Sequence, residues 1–295
     1  MKMDGRRQSS NVVDGRGKGG AVKAGGIGLG GILIAVVIYF LTGQTPDLSQ
    51  FGSFLGEGTT VSENVPQTKE DSLLMVFCSQ VLAGTEDVWT AEFRKMGKTY
   101  QPPKLYIFSD AVKSGCGSAT SAGGPFYCSA DETVYLDLEF FKNMKREIGA
   151  DGDFAYAYVI AHEVGHHVQN QLGILGPVHQ KRAEYGQNSP EANQLTVRLE
   201  LQADYFAGVW ANKDNQMYNS IQDGDIEEAL DAAAKIGDDY LQKQAYGRTA
   251  PETFTHGTSE QRSRWLKKGI HLDKSVQGGQ IVNVGNTFDI PYNSL

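Results

Sequence analysis

Near the middle of the chain, Ala161-His162-Glu163-Val164-Gly165-His166-His167 contains H-E-x-x-H, and this spacing restricts the local fold more than any other feature of the sequence. On a helix, residues i and i+4 stand one above the other. His162 and His166 would then present their imidazoles to one point, with Glu163 leaning toward the same edge. Two imidazoles beside a carboxylate supply two zinc ligands and a general base. The helical context has separate support, because Phe154, Tyr158, Ala161, Gly165, Val168 and Leu172 recur at steps of three and four and make a face that can be buried. The periodicity predicts a helix from about residue 152 to 172.

A catalytic zinc takes three protein ligands and keeps one position open for water, so a third donor is expected. Asn188-Ser189-Pro190-Glu191 reads as a helix start, with Ser189 as N-cap and Pro190 in first position, and Leu195, Leu199, Ala203, Phe206 and Trp210 follow at helical spacing. Glu200, Asp204 and the small residues Ala203 and Ala207 share one side of that helix. This face can approach another helix closely and deliver Glu200 to the metal. Asp204, one turn on, is placed to accept a hydrogen bond from an imidazole N–H and fix its tautomer. Taken in isolation, the two carboxylates would read as a solvated face; beside H-E-x-x-H, the ligand role is the expectation.

His167 lies about 100° around the helix from His166 and is expected to be a packed or hydrogen-bonded neighbour rather than a ligand. His256 precedes Thr258 and Gln261, which form a capping box opening what reads as the last helix. An imidazole there can reach into a site and donate to a developing oxyanion; on the residues alone a structural role is the expectation. His179 and His271 carry no motif and are expected to face solvent.

The 295 residues are 40% apolar and 21% charged, which predicts one globular domain with appendages. The formal charge is −8, and the first 24 residues hold Lys2, Arg6, Arg7, Arg16, Lys18 and Lys23 against Asp4 and Asp14, so the remainder carries −12. A body that acidic disfavours a nucleic-acid partner, since phosphate contacts need a basic face. Ile27 to Leu41 contains no charged residue and, with Gly25 and Gly26, reaches about the lower limit for spanning a bilayer. It reads as an uncleaved signal anchor at 25–42, with a cleaved signal peptide or a buried core helix as alternatives. The basic residues all precede it, which places the N-terminus in the cytoplasm and the body outside, in the periplasm or the extracellular space. Residues 1–24 read as a basic cytoplasmic tail and 43–70 as a flexible tether, neither expected to pack a core.

From Ser72 onward the pattern turns globular. SLLMVFCSQVL and DVWTAEFRKM read as helices, LYIFSD (105–110) and TVYLDL (133–138) as strands, and helical periods dominate from Gly152. The expected fold is therefore α+β, mainly helical with a small sheet. Cys116 and Cys128 flank a loop of small residues, CGSATSAGGPFYC, and in an oxidising compartment are expected to form a disulfide rather than stay as thiols. Cys78, inside an apolar run, is expected in the core.

Taken together, the basic tail and apolar run, CGSA…GPFYC, VYLDLEFF, AYVIAHEVGHHVQ, ELQADYFAGVW and FTHGTSEQR resemble the neutral zinc metallopeptidases of bacteria, a family of single-pass membrane proteins, over nearly the whole chain. The wider resemblance is to gluzincins, in particular the CAAX-prenyl and heat-shock-type membrane endopeptidases. It implies a gluzincin-like metallopeptidase domain over 71–295 binding one zinc per chain through His162, His166 and Glu200. Glu163 would be the base, Asp204 would support a ligand, and His256 would stabilise the transition state with Arg262 behind it. The strand VYLDL would pair with an extended peptide or protein substrate. The implied reaction is zinc-dependent hydrolysis of internal peptide bonds; the alternatives are a catalytically silent zinc-bound module that binds peptides or envelope proteins and, more remotely, a non-peptide amidase.

Overall fold

The computed structural model describes residues 1–16 and 68–295. The expected anchor at 25–42, and nearly all of the tether, lie outside these residues. Among the described residues no helix is long and apolar enough to cross a membrane.

A short strand β1 (Val12–Asp14) precedes helix α1 (Lys69–Lys95), where sequence periodicity predicted two helices. Thr68 and Asp71 close a capping box at its start: the Asp71 amide donates to the Thr68 hydroxyl at 3.0 Å and the Thr68 amide to the Asp71 carboxylate at 3.1 Å. Strands β2 (Lys104–Phe108), β3 (Ala111–Ser114), β4 (Gly117–Thr120), β5 (Phe126–Cys128) and β6 (Thr133–Asp137) follow. They form a four-stranded sheet in the order β1-β2-β6-β5 and a separate β3-β4 hairpin. β1 and β2 run parallel, as do β2 and β6, and β5 is antiparallel to β6. Cys116 and Cys128 are bonded, tying the end of β5 to the hairpin, and Cys78 is buried.

The C-terminal half is helical: α2 (Glu139–Asn143), α3 (Asp153–Gln171), α4 (Leu175–Tyr185), α5 (Pro190–Tyr218), α6 (Asp225–Lys235), α7 (Asp238–Tyr246), α8 (Ser259–Ile270) and α9 (Gly279–Val284). The caps expected for α5 and α8 are formed, with the Ala192 amide donating to the Ser189 hydroxyl at 3.1 Å and Thr258 and Gln261 exchanging side-chain and backbone bonds. The helix opened by Thr258 is followed by α9 and so is not the last. One core runs under α1, α3, α5 and α8, filled by Trp89, Phe93, Phe154, Phe206 and Trp210 among others. Two close approaches set its geometry. A Cβ on Gly208 would meet the Leu266 carbonyl at 2.2 Å and one on Gly269 the Tyr205 carbonyl at 2.2 Å, so α5 and α8 touch backbone to backbone. On α3, a Cβ on Gly165 would lie 2.9 Å from the Ala203 carbonyl of α5.

The expectation that residues 1–24 pack no core fails for the first sixteen. Met1 and Met3 are buried in the main core, and β1 extends the sheet beside β2. Low hydrophobicity misleads here because the arginines bind buried acids. Arg6 grips Asp214 with both terminal nitrogens, at 2.8 and 2.5 Å, and Arg7 meets Glu86 at 2.9 Å and Asp87 at 2.7 Å.

Candidate metal centre

His162 and His166 sit one turn apart on α3, and Glu200 faces them from α5. The donor atoms of the three all lie within 4.8 Å of one another. His162 Nε2 is 3.1 Å from one Glu200 oxygen and His166 Nε2 is 3.3 Å from the other. The far nitrogens are held from behind. His162 Nδ1 donates to Asp204 at 2.7 Å, and His166 Nδ1 donates to the side-chain oxygen of Gln169 at 2.9 Å. Both imidazoles therefore turn Nε2 toward the point that Glu200 also faces, which fits a divalent metal ion and is the chemistry of a zinc donor set.

Asp204 is fully buried and joins three helices. One oxygen accepts from His162, from the Tyr158 hydroxyl at 2.6 Å and from Arg262 Nη2 at 3.0 Å, while the other accepts from Arg262 Nε at 2.9 Å. Arg262 Nη2 also donates to the Tyr158 hydroxyl at 3.1 Å. Burial alone would raise the Asp204 carboxyl, but Arg262 and His162 outweigh it and hold the group below its ordinary value. The same competition, with Asp204 and Glu200 as the opposing charges, pushes the His162 imidazole up to about 10. At Glu163 burial wins against the pull of His162 and His166, and the carboxyl rises above the usual range.

The structure brings the three expected donors, Glu163, Asp204, His256 and Arg262 to this region. Glu163 and His256 both line a cavity of about 440 Å³ that contains the three donor residues. Its apolar wall includes Phe126, Phe140, Met144, Ile148 and Leu175. Asp238, at the start of α7, holds the loop that carries His256. One Asp238 oxygen accepts from the backbone amides of Thr255, His256 and Gly257 at 2.7, 2.6 and 3.0 Å, and the other lies 3.3 Å from His256 Nδ1. Asp238, Gln169 and the Tyr158 hydroxyl were missed in the sequence. Tyr158 was visible there only as one apolar step of α3, and Asp238 sits in no motif at all.

His167 is a packed neighbour, as expected. Its Nε2–H donates to the Gln101 carbonyl at 2.7 Å, and its Nδ1 accepts from the Tyr127 hydroxyl at 2.9 Å. His179 and His271 are exposed, although His179 stands at the cavity wall. The expected substrate strand needs correction. β6 lies between β2 and β5 with both edges already paired, so VYLDL has no edge to offer. The strand at the end of the sheet beside the cavity is β5, whose Phe126 and Tyr127 line it.

A relative from Escherichia coli strain K12, "Uncharacterized protein YpfJ", is 46% identical over 284 residues, covering 94% of this chain and 97% of the relative. "Uncharacterized protein Rv2575" of Mycobacterium tuberculosis and "Uncharacterized protein Mb2605" of Mycobacterium bovis are each 41% identical over 215 residues, covering 69% of this chain and 70% of theirs. No solved structure matches. The family described as "Putative neutral zinc metallopeptidase" matches residues 1–281, a span that takes in both ligand helices, Asp204, His256 and Arg262, and the chain belongs to that family.

Proposed function

We propose that the protein is a zinc-dependent endopeptidase that holds one zinc through His162, His166 and Glu200. The observation that carries the reading is the pairing of a convergent two-imidazole, one-carboxylate donor set with a buried, proton-accepting Glu163 on the wall of the same cavity. Zinc at these donors supplies Lewis acidity, which in such sites lowers the pKa of water toward about 7 and polarises a carbonyl. Glu163 takes a proton from the attacking water and returns it to the leaving amine. Its raised pKa suits it to hold that proton between the two transfers. His256, fixed by Asp238, donates to the oxygen on which negative charge develops, a contribution of about 3 kcal/mol in comparable sites.

The substrate is a peptide or protein segment lying in extended form along β5, with an apolar side chain in the pocket walled by Phe126, Phe140 and Met144. Among the described residues the outer edge of β5 pairs with no strand, which favours this over a small amide substrate, because only a peptide backbone uses such an edge. A disulfide that fastens the end of β5 suits an extracytoplasmic compartment.

The test is cleavage of a complex peptide mixture by the zinc-loaded full chain against Glu163→Gln. Cleavage by the parent, lost in the variant with one zinc still bound per chain, is the expected result. A variant that cleaves at the parental rate would remove Glu163 as the base, and a zinc-loaded parent that cleaves nothing would favour a peptide-binding module.

A further inference from the structure

The basic N-terminal residues and the acidic body, read from sequence as lying on opposite sides of a membrane, are joined in one fold. Asp214 is fully buried on α5, and its charge is met by Arg6, with the Ser220 hydroxyl donating to it at 2.6 Å. Glu86 of α1 is buried as well, and it takes Arg7 at 2.9 Å and the Asn11 side-chain amide at 2.7 Å, together with the Ser9 hydroxyl. Without residues 6–11 these two acids would keep little compensation for their burial, which is costly for a carboxylate. The floor beneath Arg6 is shaped for it. A Cβ on Gly84 would stand 2.9 Å from Arg6 Nη2 and 2.7 Å from Asp214 Oδ1, and the Tyr218 ring covers the guanidinium at 4.2 Å. Further on, the Leu105 amide donates to the Asn11 carbonyl at 3.0 Å and the Gly15 amide to the Ile107 carbonyl at 2.8 Å, so β1 covers an edge of β2 that would otherwise be open.

The same contacts engage three of the six basic residues that precede the apolar run. Of the basic residues before the apolar run, Arg6 and Arg7 are committed to acids of the body, and Arg16 pairs with Asp14 through two 2.9 Å bonds.

We propose that residues 1–16 are a fixed part of the folded body and stay on its side of any membrane. This inference is independent of the chemistry at the metal centre.

The test places a reporter on each part of the full-length chain expressed in bacteria. Single cysteines at exposed positions, Ser10→Cys in the arm and Gln187→Cys in the body, are treated with a membrane-impermeant maleimide in spheroplasts before and after permeabilisation, with the unsubstituted chain as background. The two sites are expected to react together, both before permeabilisation or both only after it. Reaction of residue 187 before and residue 10 only after would overturn the proposal. Amide exchange on the purified full chain gives the second readout. The Gly15 and Leu105 amides are expected to be protected and to lose that protection in Gly84→Leu, while amides of α3 keep theirs. Exchange of Gly15 at the rate of an unstructured peptide in the parent would also overturn it.

Discussion

The distance between α3 and α5 at the metal centre is set by a contact that a single methyl group tests. Gly165 lies between the two candidate histidine ligands, and its missing side chain lets Ala203, next to Asp204 on α5, come against α3. An added Cβ would stand 2.9 Å from the Ala203 carbonyl, 3.1 Å from its Cα and 3.3 Å from its Cβ, whereas ordinary contact begins at 3.4 Å. Gly165→Ala should therefore open the helix pair locally by about 0.5 Å. Metal–ligand distances tolerate only about 0.2 Å, so a ligand set divided between these two helices should feel a shift of that size. The expected loss of zinc affinity is about 10- to 100-fold, the range seen when the groups supporting a ligand are disturbed. The effect on the metal-free fold should be smaller. Overpacking costs about 1–3 kcal/mol, and the better helix propensity of alanine offsets about 1 kcal/mol of it. The assay is zinc titration against a competing chelator, run alongside thermal melts of the metal-free parent and variant. A variant that binds zinc as tightly as the parent would show that the Gly165–Ala203 contact does not set ligand geometry.

Other perturbations separate the remaining parts of the site. His256→Ala should lower kcat by about 100- to 1000-fold with zinc content unchanged, which peptide cleavage and metal analysis read together. Asp238→Ala should follow it in direction, since it frees the loop that holds His256. Asp204→Ala leaves Arg262 as an uncompensated buried charge and should cost about 3–5 kcal/mol in denaturant unfolding, with zinc affinity falling as His162 loses its hydrogen-bond acceptor. Cys116→Ser with Cys128→Ser should cost about 3 kcal/mol and loosen the β5 wall of the cavity, so that KM for peptides rises more than kcat falls. Chelation should lower the melting temperature, and restored zinc at about 100 times its Kd should return about 2.7 kcal/mol.

How much of this was legible in the sequence depended on whether a feature is written as a spacing. H-E-x-x-H, the period of its helix, Ser189-Pro190 and the Thr258/Gln261 box are local patterns, and each appears where its pattern places it. Glu200 and Asp204 were readable because small residues on the same face signalled a close helix contact. Asp238 was not: it acts on backbone amides 17 to 19 residues away, a relation fixed by the packing of α7 against the loop before α8 and by nothing periodic. Tyr158 was seen as a core residue, but its hydroxyl finds Asp204 and Arg262 only once three helices meet. The N-terminal arm was misread for a different reason. Hydrophobicity measures what a segment can bury by itself, and this one is held by ion pairs and strand pairing whose partners lie 79 to 224 residues away.

That long-range dependence also explains how a helical body holds a site on three separate elements. His162 is on α3, Asp204 on α5 and Arg262 on α8, and none of the three has sequence neighbours that could position it for the others. Glycine contacts bring the backbones close: Gly165 against Ala203, and Gly208 against Gly269. At that separation one carboxylate can accept from an imidazole, a phenol and a guanidinium together, so Asp204 orients a candidate metal ligand while Arg262 offsets the cost of its burial. Steric contact thus fixes where the helices lie, and the charged cluster fixes how their side chains turn. A change at either level should therefore reach the zinc site, the glycines through distance and Asp204 through orientation.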